Sequence, residues 1–406
     1  MGGNHFHAAP GQAADVPVSR TARDGLVLVL VLAAVATVWG LVSLWPDRDP
    51  SVSKDAAAAF AAPGVTFPKA EVLDVQPLCA SRGGGSDACG QVRVRVAEGP
   101  GTGKEVRVPV APEISRSGLA EGDRVELQRT PGTKDAPPSY SFFSVDRATP
   151  IWWLVGLFLL VVTAVARVRG LLAVVGLGVG ALVLVKFMLP ALLTGESGLG
   201  VALAGSTAIM YVVLYLAHGV SIRTSAALAG TLVGIAITAV IGLVAVHTQR
   251  LTGVSDESGA LLSSFVGDVS FRGLLTCAVI IAGLGVLNDV TITQASSVWE
   301  LRAASPAASH RELFTSAMRI GRDHIASTIY TSVFAYAGTA LTVLLLLFVY
   351  DRSFLAMLST EDIAEELTRT LASAIGLVLA VPATTAIAVA TVAPPRSRGR
   401  RVRVRS

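Results

Sequence analysis

The sequence is short of charge. Asp, Glu, Lys and Arg make up 15% of its 406 residues, against about 25% in soluble globular chains. That excludes an ordinary soluble enzyme of this size. Histidine and cysteine are sparse too, six and three residues, and their scatter lacks the spacing of a metal site. No metal and no cofactor is therefore expected. No G-x-x-x-x-G-K-[ST] loop occurs, so ATP-driven work would need another chain. The net charge of +4 comes largely from an Arg-rich C-terminal stretch, and no nucleic-acid partner is expected from it.

What fills the chain is apolar residue, 52% of it. It comes in blocks near 20 residues long, the length that crosses a hydrocarbon core of about 30 Å. The pattern predicts a mainly α protein: a polytopic helical membrane bundle of about eight spans, partnered by the lipid bilayer. A small extracytoplasmic β-barrel-like domain is expected between spans 1 and 2.

Residues 1–24 read as a cytoplasmic tail, with Arg20 and Arg23 before the first apolar block. The block at 25–45 is longer than the apolar core of a signal peptide and ends in Trp39 and Trp45, so it reads as a retained anchor. The Ala-rich stretch Ala56–Ala62 is the place where the alternative, cleavage, would fall.

Residues 46–149 read as a linker followed by a small β domain. Short alternating runs predict strands at Ala70–Val75, Gln91–Ala97, Glu105–Val110, Arg124–Arg129 and Tyr140–Val145. In Val92-Arg93-Val94-Arg95-Val96 the valines share one face and the arginines the other. Gly99–Gly103 fits a hairpin turn. Five short strands suit a barrel of the oligonucleotide/oligosaccharide-binding kind, a fold that assigns no ligand. Cys79 and Cys89 flank the loop at Gly83–Gly85. Outside the cytoplasm they are expected to form a disulfide; the alternative is two free thiols.

Residues 150–392 read as seven spans, at 151–168, 170–192, 199–218, 225–247, 271–297, 324–349 and 366–392. The stretch 393–406 is a basic cytoplasmic tail. Arginines concentrate on alternate loops and acids on the others. The positive-inside rule then puts both termini in the cytoplasm and residues 46–149 outside. Ser359, before Glu361 and Asp362, reads as the cap of the last helix.

Within the spans the polar residues are few. Asn288 and Asp289 interrupt the apolar run Leu274–Leu287, and a carboxylate at that depth normally faces a bundle interior or a wet cavity. On a helix, Asp289 aligns with Thr293, Ser296 and Glu300, and backward with Gly285, Ala282 and Ala278. This face of small and polar residues is expected to pack. A second stripe runs through His324, Thr328, Thr331, Ala335, Gly338 and Thr342. The candidate intramembrane site is accordingly Asp289, Asn288, Thr291, Thr293, His324 and Thr328. Lys186 is expected to snorkel, Cys277 to sit in apolar core, and Pro382, beside Thr384 and Thr385, to interrupt the last span.

The segment Gly285-Val-Leu-Asn-Asp-Val-Thr-Ile-Thr-Gln294, with its core Asp289-Val290-Thr291, resembles the signature of the YibE/F family of bacterial multi-pass membrane proteins. The layout of anchor, outer domain and bundle over about residues 70–392 is similar as well. The resemblance implies a bacterial plasma-membrane location and functional weight on Asp289, and no particular substrate. Three classes of function then stand side by side. One is a transporter or channel-like protein using the polar seam. Another is a scaffold or accessory subunit whose residues 69–149 bind an envelope or membrane-protein partner. The third, an intramembrane aspartyl protease, needs two carboxylates sharing a proton, and only Asp289 lies well within a span. No enzyme activity is expected.

Overall fold

The computed structural model describes residues 16–46, 64–76, 90–115, 117–132, 136–255, 257–266, 269–350 and 353–394. Cys79, Cys89, their Gly-rich loop and the basic tail lie outside the described residues, and so does the expected disulfide. The chain divides into two compact units. One is Asp49–Val165; the other joins Met1–Arg48 to Ala166–Ser406.

In the first unit the five strands fall where alternation puts them. They are β1 (Lys69–Gln76), β2 (Gln91–Val96), β3 (Glu105–Pro109), β4 (Arg124–Thr130) and β5 (Ser139–Val145). They form one antiparallel sheet in the order β3-β2-β1-β4-β5. Val92, Val94 and Val96 are buried with Ala70, Val72, Val108, Val125 and Leu127, while Arg93 and Arg95 face water. Bulges at Val72/Asp74 and Glu126/Leu127 increase the local twist. The sheet curls enough for β3 and β5 to touch, with no ladder between them among the described residues. The β2–β3 turn needs left-handed backbone at Gly99, Gly101 and Gly103 (φ 81°, 97° and 84°), which glycine adopts without strain.

The second unit is helical. Its elements are α1 (Arg20–Ser43), α2 (Ala148–Leu193, which begins in the first unit), α3 (Gly198–His218) and α4 (Ile222–Thr248). They continue as α5 (Phe271–Ala304), α6 (His310–Thr339), α7 (Leu341–Val349) and α8 (Glu361–Thr391). Six of them, α1 to α5 and α8, are long and apolar enough to cross a membrane by length and composition.

Helix boundaries differ from the sequence reading in three places. The spans expected at 151–168 and 170–192 are one element, broken at Arg167, whose φ 54° and ψ −138° are not helical. The span expected from 324 is entered fourteen residues earlier, because Ser309 and Glu312 form a reciprocal capping box that starts α6 in a polar sequence. It then breaks at Ala340 before α7. The last helix starts at Glu361, with Thr360 rather than Ser359 at the cap position.

Helices α4, α5 and α8 pack against one another and make the centre. Small residues allow this. Gly230, Gly234, Thr238 and Gly242 recur every fourth residue along α4, one line on a helix. Gly230 lies against Thr384, Gly234 against Leu287 and Ala380, and Gly242 against Val279. Gly376 of α8 meets Thr238, and Gly283 of α5 meets Ser373. In lipid, where helices gain no hydrophobic drive toward each other, such close approach supplies the dispersion contacts. Around this centre, α1 buries Leu26, Leu30, Thr37 and Gly40, and the Tyr211 hydroxyl of α3 donates to the Leu30 carbonyl at 2.5 Å.

Candidate functional site

Helix α5 carries two polar groups with different surroundings. The first faces the core. Thr291 is fully buried and its hydroxyl lies 2.7 Å from that of Thr231 on α4. One turn on, buried Gln294 donates from Nε2 to the Ala317 carbonyl of α6 (3.0 Å) and to the Thr385 hydroxyl of α8 (2.7 Å). Just past Pro382, Thr385 donates to its own helix at Val381, and Thr384 to Ala380. Gly321 gives Gln294 its room, since a side chain there would meet both Gln294 and Val381. This network ties α4, α5, α6 and α8 together, and its groups are bonded.

The second group is Asp289 with His324. Asp289 Oδ2 lies 3.6 Å from His324 Nε2, with the two side chains 69% and 31% exposed. The sequence could not place these residues together; the structure does. Thr293 and Thr328 stand one turn along the same two helices, yet each donates to its own backbone, at Asp289 and His324 respectively. Asn288 is half-buried, and its Oδ1 has no hydrogen-bond partner; the buried His324 Nε2 has none either. The Asp289–His324 contact at 3.6 Å is thus long for a hydrogen bond, and the carboxylate is open on one side.

The expected packing faces need correction. The α5 stripe through Gly285, Asp289 and Glu300 is exposed, with Thr293 and Ser296 half-buried. The packed line is displaced, through Gly283, Leu287, Thr291, Gln294 and Val298. On α6 likewise Thr331, Ala335 and Gly338 are exposed. The buried line runs Leu313, Ala317, Gly321, Thr328 and Ser332, ending in the half-buried Tyr336, whose hydroxyl donates to the Ala282 carbonyl of α5 at 3.3 Å. The reason is steric. Large residues such as Leu287 enter the gaps left by glycines on a neighbouring helix, so the smallest stripe of α5 is not the one in contact. Of the six candidate residues, Thr291 belongs to the core network, and Asp289, Asn288, His324, Thr293 and Thr328 lie along the α5–α6 seam.

Gln294 was in the signature segment yet outside the candidate site. Its signal was available: an amide at i+3 from Thr291 shares its face. The four-residue glycine spacing of α4 was equally visible. Cys277 is 1% exposed in the apolar core, as its composition suggested. His218 ends α3 at an exposed position, and Lys186 is exposed on a π-helical turn, Leu184–Met188.

A family model for YibE/F-like proteins matches residues 154–394, more than half of the chain. The chain belongs to the YibE/F-like family. The match starts after the curled sheet, so the family region is α2 to α8, and α1 and the strands stand outside it. No curated protein and no solved structure matches. Within the YibE/F-like region, both the bonded Gln294 network and the open Asp289–His324 pair fall on α5.

Proposed function

We propose that this YibE/F-like protein is a transporter or channel-like protein of the bacterial plasma membrane, working through the polar seam around Asp289. The observation that supports it is the Asp289–His324 pair. A carboxylate at the end of an apolar run, open on one side and beside a titratable partner, is the arrangement of a group that exchanges its charge. The buried Gln294 amide nitrogen and Thr385 hydroxyl are bonded instead. Nothing in the sequence suggests catalysis, and the seam is read as a passage rather than an active site.

The topology in this reading has eight spans, both termini in the cytoplasm and residues 46–149 outside. Two features support eight rather than six. The 46 residues of α2 would extend about 69 Å as one helix at 1.5 Å per residue, roughly twice a hydrocarbon core of about 30 Å. Its break at Arg167 divides it into two pieces of suitable length. The apolar second half of α6 with α7 supplies the other.

The test is a pair of substitutions. Asp289→Asn keeps shape and hydrogen bonding but cannot ionise, and is expected to abolish the cellular or flux phenotype while thermal stability in detergent stays near wild type. Asp289→Leu should lose the phenotype as well. A fully active Asp289→Asn protein would refute the reading.

The bonded Gln294–Thr385 and Thr231–Thr291 contacts favour a second reading, a non-transporting scaffold or accessory subunit whose outer domain, residues 69–149, binds an envelope or membrane-protein partner. In that case deleting 69–149 removes a co-purifying partner, and Asp289→Asn is silent.

A further inference from the structure

A second ionisable pair lies on the same seam. Near the N-terminal end of α8, Arg369 Nη1 donates to Glu366 Oε2 at 2.6 Å, with side chains 28% and 21% exposed. The other Glu366 oxygen, Oε1, and Arg369 Nε are buried and have no hydrogen-bond partner. The pair therefore keeps unused hydrogen-bonding capacity at buried atoms, as His324 Nε2 does in the other pair.

The helix faces between the two pairs carry hydroxyls. Helices α5, α6 and α8 each pack on the other two. The Tyr336 hydroxyl donates to the Ala282 carbonyl of α5, and on α8 Ser373 stands one turn past Arg369. Ser373 donates across to the Val279 carbonyl. From Tyr336 toward His324 the same face of α6 presents Ser332 and Thr328, four residues apart and both buried. A turn of α-helix spans 3.6 residues, so Tyr336, Ser332, Thr328 and His324 form one line. At its far end stand the unpartnered Asn288 Oδ1 and the open Asp289 carboxylate.

We propose that this seam is a proton path, with Glu366–Arg369 and Asp289–His324 as its two terminal stations and the Tyr336 hydroxyl between them. The inference rests on the transport reading above and names its solute. Each terminal station is a proton acceptor beside a cationic or titratable partner. The groups between are hydroxyls, which both donate and accept; Ser332 and Thr328 rest on the backbone carbonyls of Thr328 and His324 and pass a proton on by turning from them to water in the seam, without net change. Among the described residues no three His, Cys, Asp or Glu side chains converge, so the ionisable groups are arranged as two separate stations rather than as a cage for a multivalent cation. A proton bound at one carboxylate leaves from the other, with each hydroxyl regenerated.

The experiment uses the full chain in phospholipid vesicles holding a pH-sensitive dye, with an imposed pH gradient and potassium with valinomycin to balance charge. Wild type should dissipate the gradient. The double variant Glu366→Gln with Arg369→Gln, which leaves no lone charge behind, should fall to the rate of protein-free vesicles. Tyr336→Phe should fall well below wild type. Tyr330→Phe, an exposed tyrosine off the seam, should match wild type. If the double variant does not elute as a folded species, Tyr336→Phe decides. A double variant and a Tyr336→Phe protein that conduct like wild type overturn the path; if Asp289→Asn is inactive in the same assay, the role of Asp289 survives. A wild type that conducts no protons overturns the proton claim, while the cellular phenotype of Asp289→Asn still tests transport itself.

Discussion

Asp289 and Gln294 stand five residues apart on one helix, yet one is open and the other enclosed. The difference sets opposite expectations for substitution. Gln294→Leu removes two hydrogen bonds between helices and leaves the Ala317 carbonyl without its donor. Bonds between membrane helices average about 0.6 kcal/mol, so a loss of about 1 kcal/mol is expected, read as a lower unfolding temperature in detergent. Asp289→Asn should leave that temperature unchanged. The sequence showed that polar residues occur here but not which were enclosed. Helix α5 carries large apolar residues on most sides along its first half, so hydrophobic periodicity gives no facing direction. Rotation about the helix axis is fixed by Gly234 and Gly242 on α4 and Gly321 on α6, and those partners are chosen only by the fold.

At the scale of elements, the glycines divide into two sets. Gly230 and Gly376 are each in contact with a threonine of the neighbouring helix, whereas Gly285 and Gly338 have nothing within 4 Å of a side chain placed there. Gly230→Ala and Gly376→Ala should each destabilise the bundle by about 1–3 kcal/mol through overpacking. Gly285→Ala and Gly338→Ala should be neutral or stabilising, because alanine favours a helix over glycine by up to about 1 kcal/mol. Thermal unfolding of the four proteins separates the sets. A second element-level expectation concerns the start of α6. Ser309 Oγ accepts from the Glu312 amide, and the Glu312 carboxylate accepts from the Ser309 amide and hydroxyl. The amide bond comes first among the causes that hold the Glu312 carboxyl below its ordinary range. Ser309→Ala should weaken this start by about 0.5–2 kcal/mol, seen as faster amide exchange over Leu313–Arg319.

The strands were legible because alternation with a period of two is set by one buried face, and the arginines of β2 mark the other. Helix ends were less legible. The polar first half of α6 hid it from a search for apolar runs, though Ser309 and Glu312 announce it. The merging of two spans into α2 had no local signal, since Arg167 and Arg169 look like any loop between spans.

At the scale of the whole molecule, the proposed topology rests on the alternation of arginines and acids. A cysteine placed at Ala307 should resist an impermeant thiol reagent in intact cells, and one at Ser139 should react. The reverse pattern would invert the arrangement. The pH response of the first unit is also fixed by geometry. Asp146 accepts from the Ala148 amide and from Lys69, both at 3.0 Å. The amide first, then Lys69, hold its carboxyl below its ordinary 3.8, and bonding to Asp146 raises Lys69 above its ordinary 10.5. A lowered carboxyl stabilises above its ordinary value and stops doing so as pH falls through its lowered one; the raised lysine stabilises below 10.5 and stops as pH rises through its raised value. Asp146→Asn should therefore flatten the loss of strand protection below about pH 4, measured by amide exchange on the full chain.

The two ends of the described helical unit are joined by backbone. Val18 and Val392 form an antiparallel bridge, Ser19 donates to the Thr391 carbonyl at 2.9 Å, and Ala393 donates to Pro17 at 2.7 Å. This clasp has a consequence for timing. At a synthesis rate of about 5–20 residues per second, residues 17–19 leave the ribosome roughly 20–75 seconds before residues 391–393. Throughout that interval α1 sits in the bilayer without its final partner, and the backbone groups of Pro17 and Ser19 wait at the membrane surface. Closure of the helical unit through this clasp waits for α8, so a chain stalled before α8 would leave the α4–α5 face uncovered.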